Sequence, residues 1–169
     1  MYICKYKTPS SFSDMYLSSN GTYLTGLWFE GSKDAQKHEK SYTTKELPIF
    51  DETKKWLDVY FSGKDPDFTP KYKIENLTEF RKMVMDIMKK IPYGELITYN
   101  DIAKEIATKR GIKKMSAQAV GNAVGWNPIC LIIPCHRVIG SNNSLTGYGG
   151  GLNNKENLLR LEKSKFKND

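Results

Sequence analysis

Pro66 and Pro70, in the stretch "GKDPDFTPKY" that starts at Gly63, break the chain between two segments whose apolar residues recur at different periods. Before the break, "YICKYKT", "MYLSS" and "TYLTGLWFE" are rich in aromatic and β-branched residues and read as strands. Asn20-Gly21 supplies a hairpin turn between the last two. "LPIFDETKKWLDVYFSG" then places Phe50, Trp56, Val59 and Tyr60 at helical spacing, with Gly63 as the stop. After the break the pattern is helical. "NLTEFRKMVMDIMKKIPYG" sets Phe80, Val84, Ile87, Met88 and Ile91 on one face, capped by Asn76 with Glu79 and ended by Pro92 and Gly94. "TYNDIAKEIATKRG" buries Ile102, Ala103 and Ile106, and "KKMSAQAVGNAVGWNP" forms a second short helix from about Ser116 to Asn127-Pro128. Two short helices joined by a turn suit a helix-turn-helix. "NKENLLRLEKSKF" ends the chain as a helix with Leu158, Leu159 and Leu161 inward. The expected fold is α+β. A small strand-rich N-terminal domain (sheet plus helix, residues 1–70) precedes a mostly helical, winged-helix-like C-terminal domain (74–169) that contains the helix-turn-helix.

Composition narrows the function classes. The longest apolar run, "ICLII" (129–133), is far short of the roughly 20 residues a membrane span needs. "MYICKYKT" lacks a signal-peptide apolar region, and three irregularly spaced cysteines make no disulfide framework. A reducing, cytoplasmic setting is expected. The net charge of +7 is unevenly placed: residues 1–70 carry 9 Lys/Arg against 10 Asp/Glu, and residues 71–169 carry 17 against 9. A basic half is the electrostatic footprint of nucleic-acid binding, although a solvated lysine-rich surface has the same composition. The helix at 116–125 shows mostly small residues (Ala117, Ala119, Gly121, Ala123, Gly125), which permit close packing on another helix or close approach to a nucleic-acid groove.

The chemistry concentrates in "LIIPCHRVIG" (131–140), where Cys135 adjoins His136, one of two histidines in the chain. A free thiol is only a few per cent ionised near neutral pH, and a histidine in contact, directly or through one water, can take its proton. Side chains of neighbouring residues on an extended segment point to opposite faces, so a water or a bend is needed to join them. The imidazole would need a carboxylate to orient it, and Glu162 on the last helix is a candidate. Zinc fits poorly, because Cys4 and His38 are distant in sequence and no set of three or four ligands is apparent. The apolar run before Pro134 reads as a strand that presents Cys135 at its end, and Cys130 inside it reads as core. "GYGGG" (147–151) lacks the Lys-Ser/Thr of a phosphate-binding loop and reads as a loop that lets another group approach its backbone. A thiol hydrolase would use the same pair but leaves the basic half unexplained. A DNA-binding regulator explains the basic half but leaves the pair without a role.

"NPICLIIPCHRVIGSNNSLTGYGGGLNNKENLLRLE" resembles the active-site region of the methylated-DNA–protein-cysteine methyltransferases, the O6-alkylguanine-DNA alkyltransferases. The resemblance runs back through "SAQAVGNAVGWNP", "IPYGELITYNDIA" and "TEFRKMV", covering about residues 76–162. It implies a DNA repair protein that binds double-stranded DNA through the minor groove as a monomer without cofactor or metal. Such a protein flips O6-alkylguanine (mainly O6-methylguanine, also O4-methylthymine) out of the duplex and moves the alkyl group irreversibly to its own cysteine. The resemblance makes Cys135 the nucleophile, His136 its base through a water and Glu162 the end of the relay. Asn127 would tie the helix-turn-helix to the active-site strand, and Tyr99 would donate a proton toward the departing guanine. Val138, Tyr148 and Gly149 would surround the base, and Asn100, Ser116, Ala117, Gln118, Ala119 and Gly121 would meet DNA. Gln118 stands where many family members carry an arginine that fills the gap left by the flipped base. Without that charge, DNA binding is expected to be weaker or differently balanced, with repair retained and with Arg110, Lys113 and Lys114 contributing phosphate contacts.

Overall fold

A computed structural model describes residues 1–166. Strands β1 (Tyr2–Tyr6), β2 (Met15–Ser19), β3 (Leu24–Phe29) and β4 (Thr43–Thr44) form one sheet in the order β3-β2-β1-β4. β1–β2 and β2–β3 are antiparallel, and β4 adds to β1 in parallel. The turn expected at Asn20-Gly21 joins β2 to β3. Asn20 Oδ1 accepts from the backbone N–H groups of Thr22 and Tyr23 at 3.0 and 2.9 Å, and Gly21 takes φ +109°. Pairing Met15 with Phe29 and Leu17 with Leu27 puts four fully buried side chains on one face. Helix α1 (Pro48–Phe61) lays Ile49, Phe50, Trp56, Leu57 and Tyr60 into the same core.

The proline-broken segment follows the edge of β3, with Leu24 N–H donating to Lys71 O at 2.9 Å and Lys73 N–H to Leu24 O at 3.0 Å. The remaining elements are α2 (Glu79–Met88), β5 (Ile97–Thr98), α3 (Tyr99–Arg110), α4 (Ala117–Gly125), β6 (Val138–Ile139) and α5 (Leu152–Leu161). α3 starts in a reciprocal capping box between Thr98 and Asp101 and ends at Gly111 in the left-handed region. Ser116 caps α4 by accepting from Ala119 N–H at 3.2 Å. The pair α3–α4 is the expected helix-turn-helix, and the parallel β5–β6 pair lies beside it. The architecture is α+β: a sheet with one helix, then a mostly helical part.

Two local expectations are corrected. The cap of α2 is Thr78, whose hydroxyl accepts from Arg81 N–H at 3.2 Å; Asn76 instead sits at φ +58° and offers its carbonyl to the Arg81 guanidinium. "ICLII" is no strand. Only Ile129 bridges to β3, at Leu27, and Leu131 turns the chain at φ +69°. Cys135–Arg137 then form a 3₁₀ turn, so Cys135 and His136 follow one another around a turn rather than alternating across a strand. A run buried on all sides has no strand–helix periodicity to read, which is why the pattern misled. One continuous apolar core joins the two halves, from Met15 and Phe29 to Ile133 and Leu158. Among the described residues no helix is long and apolar enough to cross a membrane.

Candidate active site

Cys135 opens its 3₁₀ turn just after Pro134, with its backbone N–H bonded to Ile133 O at 2.8 Å. Its side chain is 7% exposed at the floor of a cleft of about 770 Å³. That cleft is also lined by Tyr99 at the start of α3, by Asn122 and Val124 of α4, and by Tyr148 and Gly149 of the glycine loop. Asn127, after α4, is pinned on both sides of the amide: Nδ2 donates to Ile133 O at 2.9 Å and Oδ1 accepts from Ile129 N–H at 3.0 Å. It therefore fixes the segment before Cys135 against the end of α4.

Behind the thiol lies a buried polar network centred on Glu162, the residue that ends α5. Its carboxylate accepts from His136 Nε2 (2.6 Å), Arg137 Nε (2.8 Å), Gly94 N–H (3.1 Å) and the Tyr60 hydroxyl (2.5 Å). Burial alone would raise this carboxyl, but His136 and Arg137 outweigh it and hold it well below the usual carboxylate range. His136 is fully buried, and burial lowers its pKa despite the carboxylate, so the ring is neutral near pH 7. With Nε2–H engaged by Glu162, Nδ1 is the basic nitrogen, and it is buried without a hydrogen-bond partner among the described residues. Burial, then Asp34, push the Cys135 thiol up, while Asn127, Lys37 and Tyr148 pull the other way. The resting site therefore holds a thiol beside a neutral imidazole rather than a preformed ion pair.

Arg137 completes the network by donating Nη1 to Ile91 O at 2.8 Å and lying over the Tyr93 ring. Lys155 of α5 is also fully buried, donates to Val138 O at 2.8 Å, and has its pKa lowered by burial to about 8. Val138 itself is fully buried.

The N-terminal half also reaches the cleft. Lys33, Asp34, Gln36 and Lys37 line it. Asp34 donates its backbone N–H to Gly149 O at 2.9 Å and pairs with Lys37 at 2.6 Å. Lys37 in turn donates to Gly125 O and, at 3.2 Å, to Asn127 O. A β-carbon on Gly149 would overlap the Asp34 carboxylate where it now lies. Reading by sequence missed Tyr60, Arg137, Lys155 and the 33–37 segment. Arg137 and Lys155 carried a signal, an arginine next to the Cys-His pair and a lysine at an inward helix position. Tyr60 carried none, because it sits 102 residues from Glu162 and belongs equally well to an apolar helix face.

Beside the cleft, Tyr99, Asn100, Ala117, Gln118 and Gly121 line a shallow groove with Gly140 and Ser141. Ser116 and Gln118 are exposed, and Ala119 is half-buried. Arg110, expected to reach phosphate, pairs with Glu79 at 3.4 Å and lies over Phe80, whereas Lys113 and Lys114 are exposed. Among the described residues no group of three or more His, Cys, Asp or Glu is placed to hold a metal ion.

Residues 1–74 match the family profile described as "6-O-methylguanine DNA methyltransferase, ribonuclease-like domain", and residues 79–164 match "6-O-methylguanine DNA methyltransferase, DNA binding domain". The chain is 37% identical over 161 residues to the methylated-DNA–protein-cysteine methyltransferase of Mycobacterium tuberculosis, covering 95% of this chain and 93% of that protein. It is 37% identical over 155 residues to the Haemophilus influenzae protein of the same name (92% and 83% covered). A crystal structure of Mycobacterium tuberculosis OGT in complex with DNA aligns with a TM-score of 0.80 at 34% identity, covering 96% of this chain and 93% of that one. The archaeal O6-methylguanine-DNA methyltransferase of Pyrococcus kodakaraensis, 23% identical, shares the fold at a TM-score of 0.66 over 95% of this chain and 98% of that one. With both halves matched and such relatives aligned over nearly their whole length, the chain belongs to the methylated-DNA–protein-cysteine methyltransferase family.

Proposed function

We propose that this protein repairs O6-alkylguanine in double-stranded DNA, chiefly O6-methylguanine and also O4-methylthymine, by moving the alkyl group once and irreversibly to Cys135. The observation that carries this reading is the thiol at the floor of an open cleft, backed by His136 and Glu162 and flanked by the recognition helix of a helix-turn-helix. In this reading α4 meets the minor groove through Ser116, Ala117, Gln118, Ala119 and Gly121, with Asn100 beside them, and its small side chains permit close approach. The damaged nucleotide turns into the cleft, at an unstacking cost of a few kcal/mol offset by groove and phosphate contacts. Gln118 fills the gap and hydrogen-bonds the orphaned partner base.

The chemistry then follows from the site. Nδ1 of His136 takes the thiol proton through one intervening water, and Glu162 stabilises the imidazolium through Nε2–H. The thiolate attacks the alkyl carbon, an S–C bond forms, and the C–O6 bond breaks with its electron pair leaving on guanine. Burial raises the Tyr99 phenol, so it is protonated at working pH and can donate toward the departing base. Tyr148 and Gly149 close over that base. The thioether product has no carbonyl for water to attack, so each molecule acts once, as a monomer and without a cofactor.

Intact-mass measurement after incubation with a duplex carrying O6-methylguanine tests the reading. One methyl is expected per protein, mapped to Cys135 and absent from Cys135→Ser. Tight binding to the damaged duplex without any mass gain would instead identify a sensor that reads the lesion but does not repair it.

A further inference from the structure

Tyr60 lies near the end of α1, in the half of the chain that carries neither Cys135 nor the helix-turn-helix. It is fully buried, and its ring stacks on Trp56 at 5.4 Å and meets His136 edge-on at 6.3 Å. Its hydroxyl donates to Glu162 Oε2 at 2.5 Å and lies 3.4 Å from His136 Nε2. Oε2 is the same oxygen that accepts from His136 at 2.6 Å. A tyrosine needed only for packing would be served as well by phenylalanine, and its hydroxyl would seek backbone or solvent. Here, among the described residues, the hydroxyl bonds within the relay alone.

We infer that Tyr60 is a positioning residue for alkyl transfer, a fourth member of the Cys135–His136–Glu162 relay that sets the basicity of His136 by sharing Glu162 Oε2. Burial and the neighbouring carboxylate push the phenol well above its usual range, so it acts as a donor throughout the working pH range. A donor on Oε2 draws charge from the carboxylate and limits how strongly that oxygen stabilises the imidazolium. The other charged or titratable groups around His136 are Arg137 on its own turn and Lys155 of α5, both of which lower its pKa, and Tyr93, which contacts Tyr60. Removing the Tyr60 O–H leaves Glu162 a stronger acceptor, and His136 becomes easier to protonate. Transfer needs neutral His136, so its acid limb then moves to higher pH. The inference rests on the reading of Cys135 as the alkyl acceptor.

The test is single-turnover transfer from an O6-methylguanine duplex at saturating DNA, followed across pH for the full-length protein and Tyr60→Phe. The expected result is a rate constant about tenfold lower at neutral pH, the size of one hydrogen bond to a charged group. The acid limb should shift upward, with duplex affinity unchanged. Because the variant could unfold, 3-fluorotyrosine placed at position 60 provides a second arm. It keeps the ring, strengthens the donor, and should shift the limb downward. An unmoved limb in both proteins overturns the role of Tyr60 while leaving Cys135 as the acceptor. No methyl gain by the wild-type protein sinks both readings, so the two failures are distinguishable.

Discussion

Glu162 gathers four donors from three separate parts of the chain, and its charge is what lets the Arg137 guanidinium lie in a buried site. Glu162→Gln keeps the shape and removes the charge, leaving the 9%-exposed Arg137 guanidinium without its counter-ion. Breaking one side of a buried pair costs about 3–5 kcal/mol. Denaturant unfolding should show a loss of that order, together with loss of methyl transfer. The same network sets a pH dependence. The folded state holds Glu162 below its unfolded value of about 4.3 and His136 below about 6.5, so in both cases the unfolded chain binds protons more readily. Stability should therefore be full above about pH 6.5, fall gently below it as His136 resists protonation, and fall more steeply below about pH 4.3 as Glu162 does. Urea midpoints measured across that range check the sign. A midpoint that rises on acidification would contradict the assignment of a neutral imidazole and a charged carboxylate.

The elements around the thiol differ in how well the sequence announced them. α3 and α4 carry their own punctuation, namely Thr98 with Asp101, Gly111, and Ser116, so local chemistry alone marks their ends. The segment before Cys135 has Pro128 and Pro134 at its ends but nothing in between, and its apolar run reads as a strand although Leu131 bends it out of any extended path. The glycine loop was legible as a place of close approach, but not as to what approaches. The group is Asp34, from the opposite half of the chain, held by the Gly149 carbonyl. This contact closes one side of the cleft and contributes to keeping the thiol protonated. Gly149→Ala displaces the Asp34 carboxylate, because the added methyl overlaps it, and so loosens the closure of this side of the cleft. In the absence of DNA, iodoacetamide should then label Cys135 several-fold faster than in the wild-type protein. An unchanged labelling rate would mean that this contact does not govern access to the sulfur.

At the scale of the whole molecule, the proline-marked break separates two patterns of sequence but not two cores. Leu27 of β3 donates to Pro128 O at 3.0 Å and accepts from Cys130 N–H at 3.1 Å, so the sheet edge directly braces the chain leading to Cys135. Lys37 reaches Gly125 and Asn127 across the same boundary, and Tyr60 reaches Glu162. These contacts span about a hundred residues or nearly so, and no window of sequence contains both partners, which is why the N-terminal half yielded no site residues when read alone. Their energetic consequence is that neither half can lose its packing without exposing the apolar surface of the other. Phe29, fully buried in β3, packs against the glycine loop at Gly150 as well as against Phe12 of its own half. Phe29→Ala should cost about 3–5 kcal/mol. In a molecule with one core that loss lowers a single calorimetric transition and leaves its van't Hoff and calorimetric enthalpies equal. If the halves were energetically independent, the same substitution would split the transition, moving the part that reports on the sheet and leaving the part that reports on Cys135 and the helix-turn-helix where it was.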